Sequence, residues 1–444
     1  MPTLPDAPGA EGGCADPPRD PVGGLPLLTA DLAGIGGRLK ARLEDFAVEE
    51  IPQYLPCGEG EHVYLFIEKR DLSTSQAVHA IARHFNVPKR AIGYAGMKDK
   101  HAVTRQVISV HTPGKTFRDF PDLMNDRLVV LSAAMHTNKL RLGHLRGNRF
   151  SIKVRGTDMT GVVAARRVLA RLGERGVPNY VGEQRFGVRL NNHLLGACYL
   201  RNDWEGVLAE MLGPDQMFPH LNREAREHYA AGRYTQALDA FPHACRPERA
   251  ALHILEVGGA PKKAVQSVEI EQRRFWFSAL QSAVFNLVLA ARVGDGSWDR
   301  LLEGDVAMKR ENGAMFAVSA AVLGEQGIEE RVRTQAVSSS GPMWGTKMLR
   351  AAGAIDAAEI GALRRHGLEV ADLAQAVTYL GDSMIGTRRP LRAPLENVEV
   401  EGGIDEHGHY VRCGFSLPAG SYATVVMREV MKGAIEATDG RDAE

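Results

Sequence analysis

GYAGMKDKHAVTRQ, Gly93–Gln106, sets one carboxylate, Asp99, between Lys98 and Lys100. From Leu72 to Arg118 no other Asp or Glu occurs, while the same span carries eight cations: Arg83, Lys89, Arg90, Lys98, Lys100, Arg105, Lys115 and Arg118. Flanking cations favour the ionised form of a carboxylate, which suits a nucleophile or base. Gly93 and Gly96 leave the backbone free on the approach to it. An ordinary surface ion pair with Lys98, Lys100 or Arg105 accounts for the same composition. Both readings stand on these residues alone.

Working outward, a second acid-free run, Arg127 to Thr157, holds Arg127, Lys139, Arg141, Arg146, Arg149, Lys153 and Arg155. The chain as a whole balances 54 Lys+Arg against 54 Asp+Glu, so only the local excess points to a partner. Two cationic runs over residues 72–157 are the footprint of a phosphate backbone, with a solvated face as the plain alternative. At 444 residues two domains are expected. The five cysteines are scattered without a CxxC pair, which fits a reducing compartment and argues against a structural zinc site. No apolar run stands out as a membrane span, and the first 26 residues hold seven prolines and no signal core. A flexible Pro/Gly-rich tail over 1–35 and a cytoplasmic protein are expected.

HVYLFIEK, RQVISVH, RLVVLSAAMH and RFSIKVRG read as strands, the last with Phe150, Ile152 and Val154 on one face. STSQAVHAIARHFNVP reads as a helix capped by Thr74 or a neighbouring Ser and ended by Asn86 and Pro88. TGVVAARRVLARLG reads as a second helix, stopped by Gly173. Near the end, LENVEVEGGIDEHGHYVRCGFSLP reads as a hairpin and SYATVVMREVMKG as a closing helix capped by Ser421. From about Pro178 to Asp382 helical patterns dominate. Strands, a helical block, then strands again suggest one domain inserted into another.

The chain lacks GxxxxGK[ST], a GxGxxG at a strand–helix junction, GxSxG and HExxH, so no phosphate cradle, dinucleotide site, hydrolase elbow or zincin helix is indicated. LRLGHLRGNRFSIKVR instead combines cations for phosphates, Asn148 for base edges and Phe150 as a stacking surface. Core packing explains Phe150 equally well. These residues lead as far as an RNA- or DNA-binding protein with one unusual carboxylate.

YAGMKDKHAVTRQ resembles the signature of the TruD family of pseudouridine synthases, approximately (F/Y)AGxKD(K/R)HAVTxQ. RLKARLEDFAVEE, GEGEHVYLFIEK, the GNRF of KLRLGHLRGNRFSIKV, GVPNYVGEQRFG, FWFSALQSAVFNLVLAARV, GPMWG and FSLPAGSYATVVMRE are similar to further family motifs, in family order, over roughly residues 38–435. Val181 stands where the family usually has Phe.

The resemblance implies an α+β protein with a mixed α/β pseudouridine-synthase catalytic domain over 36–178 and 383–436. A largely helical α/β TRUD domain would be inserted at 179–382, with a short tail at 437–444 and a cationic cleft for RNA between the two. It implies isomerisation of a uridine of tRNA, usually uridine 13, to its C-glycoside, by a monomer, without cofactor, metal or membrane. Carried over residue by residue, Asp99 is the nucleophile. Phe46, Asn148, Phe150 and Tyr422 contact the substrate, and Lys40 contacts a phosphate or the carboxylate. GEQRFG is expected to fix the domain junction. A non-catalytic RNA-binding protein on the same scaffold, or a glycosylase releasing uracil, are the alternatives.

Overall fold

Apolar alternation at both chain ends turns into one twisted sheet. The computed structural model describes residues 18–381 and 385–433. Its strands are β1 (Phe46–Pro52), β2 (His62–Arg70), β3 (Ile92–Tyr94), β4 (Val103–His111), β5 (Met124–Asn125), β6 (Leu128–His136), β7 (Leu145–Arg155), β8 (Val177–Pro178), β9 (Val306–Lys309), β10 (Met315–Ala317), β11 (Val337–Met343), β12 (Thr387–Pro390), β13 (Arg392–Ala393), β14 (Glu396–Asp405) and β15 (Gly408–Pro418). Nine strands share a sheet ordered β14-β15-β7-β1-β4-β2-β6-β5, with β3 laid against β4. All its pairings are antiparallel except β1 with β4, which runs parallel for three residues from Ala47↔Val103 to Glu49↔Arg105. Further along, β3 takes over the same edge of β4, Tyr94 facing Ile108. The sheet forks there, and residues 95–102, with Asp99 among them, lead from β3 into β4.

The helix Thr74–His84 covers one half of this sheet. Ser73 caps it and Gln76 answers in a capping box, and Ala77, Val78, Ile81 and Ala82 are buried against Val63, Leu65 and Ile67. The helices Gly161–Arg175 and Ala423–Met431 cover the other half, where Val168, Leu169, Val426 and Met427 meet Ile152, Val154, Cys413 and Phe415. Two expected boundaries differ. Gly173 does not stop its helix, which runs on to Arg175 and ends at Gly176, whose φ of +86° only glycine adopts freely. Ser421 does not cap the last helix; its hydroxyl bonds Asn179 Oδ1 at 3.1 Å, and Tyr422 stands at the N-cap position without a side-chain cap.

Between β8 and β13 the chain builds a second assembly of helices around a separate core, plus a four-stranded sheet, β10-β9-β11-β12. Strand pairing carries this assembly to Pro390, past the expected limit at 382. Its spine is the helix Ile270–Gly294. At 25 residues, with a mean hydropathy of 1.3 in its most apolar window, it is long and apolar enough to span a membrane, contrary to the sequence-based expectation. Two-thirds of that window is buried inside the fold, around Trp276, Phe277, Leu280, Val284 and Phe285, which is the signature of a core helix. Leaving and returning strands, β8 and β13, pair antiparallel, so both crossings lie side by side.

The expected flexible tail over 1–35 is corrected for residues 18–35. The backbone amides of Leu28 and Thr29 bond the buried Glu429 carboxylate at 2.7 and 3.0 Å, and Arg428 reaches the carbonyl of Val22 at 2.8 Å. Val22 and Thr29 are buried, so a fixed strap joins this segment to the closing helix. Residues 1–17 and the tail expected at 437–444 lie outside the described residues.

Burial leaves two histidines neutral in the helical assembly. His193 and His366 are both fully buried, their rings edge-on 5.8 Å apart, and burial holds His193 down at about 4 and His366 at about 3. The unfolded chain takes up these protons below an ordinary pKa near 6.5 while the folded chain refuses them, so stability falls as pH drops through that value. The linkage amounts to about 2 kcal/mol per histidine between pH 7 and pH 5. Denaturant titrations at the two pH values should show that loss, and His366→Leu should remove about half of it.

Candidate active site

Three segments converge on Asp99. The first is residues 38–46. Arg38 and Arg155 exchange backbone hydrogen bonds of 2.8 and 3.1 Å, and the Arg155 guanidinium bonds buried Asp45 at 2.7 Å and both oxygens of Asp405. Those bonds hold the Asp405 carboxyl well below the usual carboxylate range. On this base Lys40 adopts a φ of +50°, a left-handed conformation costing a non-glycine residue about 1 kcal/mol. Its ammonium lies 3.2 Å from Asp99 Oδ2 and 4.4 Å above the Phe46 ring.

The second segment is the loop 95–102 itself. Lys98 does not serve the adjacent carboxylate. Its ammonium turns inward to Glu50 of β1 at 2.9 Å, both groups nearly fully buried, while its amide donates to Thr74 Oγ1 at 3.0 Å. Beneath the loop lies Lys69, the penultimate residue of β2. It is completely buried, and its ammonium donates to the carbonyls of Leu72 and Asp99 at 2.5 and 2.7 Å. The Asp99 carboxylate stays 29 % exposed, open to a ligand.

The third segment comes from the helical assembly. The short helix Glu183–Phe186 within GEQRFG delivers Gln184, whose amide donates to Asp99 Oδ1 at 3.3 Å. The helix is anchored by buried Phe186 against Ala279 and Ala283, by Arg185 on Ser278, and by Asn286, which bonds both polar backbone atoms of Val181. GEQRFG, expected to fix the domain junction, is thus anchored on the helical assembly and reaches the carboxylate.

Lys40 and Asp99 thus meet directly, and Phe46 sits under Lys40. Phe150 lies edge-on to Phe46, centroids 6.4 Å apart, and against Phe415 at 5.6 Å; at 7 % exposure it is part of the core. Asn148 occupies the next position on the same face of β7, opposite Glu50 and Leu417, and its buried Oδ1 has no hydrogen-bond partner. Tyr422 stands across the junction. A methyl group on Gly182 would come within 2.9 Å of its ring, and the Arg389 guanidinium lies 6.0 Å from it. Among the described residues Arg389 bonds Asn179 and Gly420 and no carboxylate, and burial pushes it down to about 10.

Much of the cationic excess is spent within the sheet. Arg105 pairs with Glu49 and Glu68, Arg127 with Asp71, Arg149 with Glu399, and Lys153 with Asp405. Two clefts remain between sheet and helical assembly. One, of about 960 Å³, runs from Lys40, Arg42 and His101 to Val188, Gln272 and Phe275. The other, of about 850 Å³, is lined by Arg146, Lys309, Arg310, Arg331 and Pro418. Among the described residues no three His, Cys, Asp or Glu side chains gather to hold a metal ion.

Glu50, Lys69 and Gln184 were not singled out from sequence. Lys69 left a trace: along β2 it continues the inward series Val63, Leu65, Ile67, where an apolar residue belongs. Glu50 and Gln184 left none beyond their motifs.

The family model for tRNA pseudouridine synthase D (TruD) matches residues 23–430. A protein of that name from Geotalea daltonii is 41 % identical over 413 residues, 92 % of this chain and 99 % of its own. The Thermus thermophilus protein is 36 % identical, covering 94 % and 95 %. A crystal structure from Methanosarcina mazei assigned to tRNA pseudouridine synthase D superposes with a TM-score of 0.76 at 26 % identity, over 92 % of this chain and 97 % of that one. The fold and its motifs define an isomerase of the pseudouridine-synthase class. The chain belongs to the TruD family.

The buried Lys98–Glu50 pair supplies a direct test of how the loop is held. Glu50→Ala strands an ammonium in the core and should cost about 3–5 kcal/mol in chemical denaturation, whereas exposed Arg149→Ala should cost under about 1 kcal/mol.

Proposed function

We propose that the protein isomerises a uridine of tRNA, uridine 13, to pseudouridine, with Asp99 as nucleophile. One observation carries the reading: a single carboxylate, 29 % exposed, held at 3.2 Å by Lys40, whose side chain also lines the cleft of about 960 Å³ between the two layers. A base has to leave its stack to reach such a group, and cations along both clefts suit the phosphates on either side of it.

In the reaction the Asp99 carboxylate adds to the nucleoside at C1′ or C6, and the N1–C1′ bond breaks. The uracil turns and C5 bonds to C1′; the bond from Asp99 to C1′, or to C6, breaks and returns the free carboxylate, the C5 proton leaves and N1 gains one, so nothing is oxidised and no co-reactant is consumed. Lys40 balances charge on the carboxylate and, stacked on Phe46, stays fixed while that charge changes. Asn148, with an unpartnered buried oxygen, suits a uracil N–H. Phe150 supports Phe46 from the core, and Tyr422 offers a ring on the opposite side. Sheet and helical assembly act as catalytic and inserted domains in a monomer working on tRNA in the cytoplasm.

Incubating tRNA with the wild type and with Asp99→Asn, then assaying pseudouridine and free uracil, tests the reading. Wild type should form pseudouridine at one position, and Asp99→Asn should lose on the order of 10³-fold or more while tRNA binding stays within about threefold. Pseudouridine from Asp99→Asn at the wild-type rate sinks the nucleophile, RNA binding without product favours a binding protein, and free uracil favours a glycosylase. Lys40→Met should slow product formation about 10- to 100-fold.

A further inference from the structure

The most costly group in the site has no role in the reaction just described. Lys69 is fully buried, yet among the described residues it makes no ion pair. Its ammonium is held by two backbone carbonyls, those of Leu72 and Asp99. A buried charge without a carboxylate partner is strongly disfavoured. An apolar side chain would continue the Val63, Leu65, Ile67 series at far lower cost, as it does at every other inward position of β2. Tension between fold and charge at one residue marks a functional constraint.

We propose that Lys69 is a positioning residue for the reaction at Asp99, and that its positive charge, clamped on the Asp99 carbonyl, sets the carboxylate in its attacking position. The proposal rests on the reading of Asp99 as nucleophile. Asp99 sits mid-way in a loop whose other anchors, Thr74 on the Lys98 amide and Glu50 on the Lys98 ammonium, act one residue earlier. Among the described residues Lys69 alone grips the backbone of Asp99 itself. Lys40 and Gln184 then act on the carboxylate from outside, at 3.2 and 3.3 Å. The backbone is held from within and the side chain from without, so rotation about the Asp99 side chain is what remains to be set.

The charge has a second consequence. Burial pulls Lys69 down to about 8, opposed by Asp99, which favours the ammonium, and assisted by Lys98, which disfavours it. Lys98 is itself matched by Glu50, and Asp99 by Lys40, so these four groups are the charges facing Lys69 from the loop, β1 and the 38–46 segment. Above pH 8 a neutral amine keeps donors for the two carbonyls but loses the field across the loop. Activity then declines although the fold is intact.

Enzyme in excess of tRNA but below saturation gives a second-order rate constant that reports the free enzyme's groups. It is measured from pH 6.5 to 9.5 for the wild type and Lys69→Met, with tRNA affinity and thermal midpoint in parallel. The wild-type rate should fall through an apparent pKa near 8, and Lys69→Met should be slower at pH 7 by about 100-fold, lack that alkaline limb and bind tRNA within about threefold of wild type. A flat wild-type profile overturns the proposal, whether or not the variant folds. So does a Lys69→Met that reacts at the wild-type rate or keeps the limb, since a mere staple for the loop would lower the midpoint without moving the pH profile. A wild type that forms no pseudouridine overturns the function instead.

Discussion

The three-residue parallel pairing of β1 with β4 is the constraint on which the site depends. In a sheet otherwise antiparallel, this one pairing makes two distant segments enter the sheet from the same end. Lys40 precedes β1 by six positions and Asp99 precedes β4 by four, so the register Ala47↔Val103 brings the residues ahead of both strands together. Had the pair been antiparallel, the approach to β1 would have faced the far end of β4 near His111. A parallel pair needs a long crossover, and here it contains β2, the helix Thr74–His84 and β3. The crossover also carries Lys69 and Thr74, which grip the loop from beneath. One short register thus gathers the carboxylate, its cation and two of its supports.

The charges around the site are sorted by depth. Above, Lys40 meets Asp99 where water still reaches, and such a pair adds little stability. Below, Lys98 with Glu50, and Lys69 with its two carbonyls, sit where an unmatched charge is severe. The deep groups define the loop's geometry, while the shallow pair remains free to exchange partners with a ligand. The division explains why the carboxylate is not locked by its sequence neighbours. Lys98, the cation that composition alone assigns to Asp99, is committed elsewhere, and Lys40 arrives from 59 residues away.

Elements were legible where local pattern and burial agree. Helix Thr74–His84 and strands β2, β4, β6 and β7 follow directly from period and capping, and the α+β class with its helical middle follows from their order. The ordered motifs carried the family. What sequence could not show was pairing across distance. Arg105, Arg127, Arg149 and Lys153 counted as a cationic footprint until segments distant in sequence supplied Glu68, Asp71, Glu399 and Asp405. The strap at 18–35 looked like a tail because its proline and glycine content is a loop's, and its order comes from Glu429 and Arg428, some 400 residues on. Ser421 shows the same limit: a capping residue by type, it is drawn off by Asn179 on the departing strand's side of the junction.

Gln184 shows why an insertion can belong to a site rather than merely flank it. Asp99 Oδ2 is held by a residue of the sheet's own segment, and Oδ1 by a residue whose position is set by the spine helix Ile270–Gly294 through Phe186, Arg185 and Asn286. The two oxygens of one carboxylate are therefore referenced to two different layers. Both chain crossings lie together at β8 and β13, next to Arg389, which donates to both Asn179 and the Gly420 carbonyl. Gly182 packs on Tyr422 two residues from Gln184. The Tyr422 ring and the Asp99 carboxylate are in this way both referenced to the same three residues, 182–184, of the inserted segment.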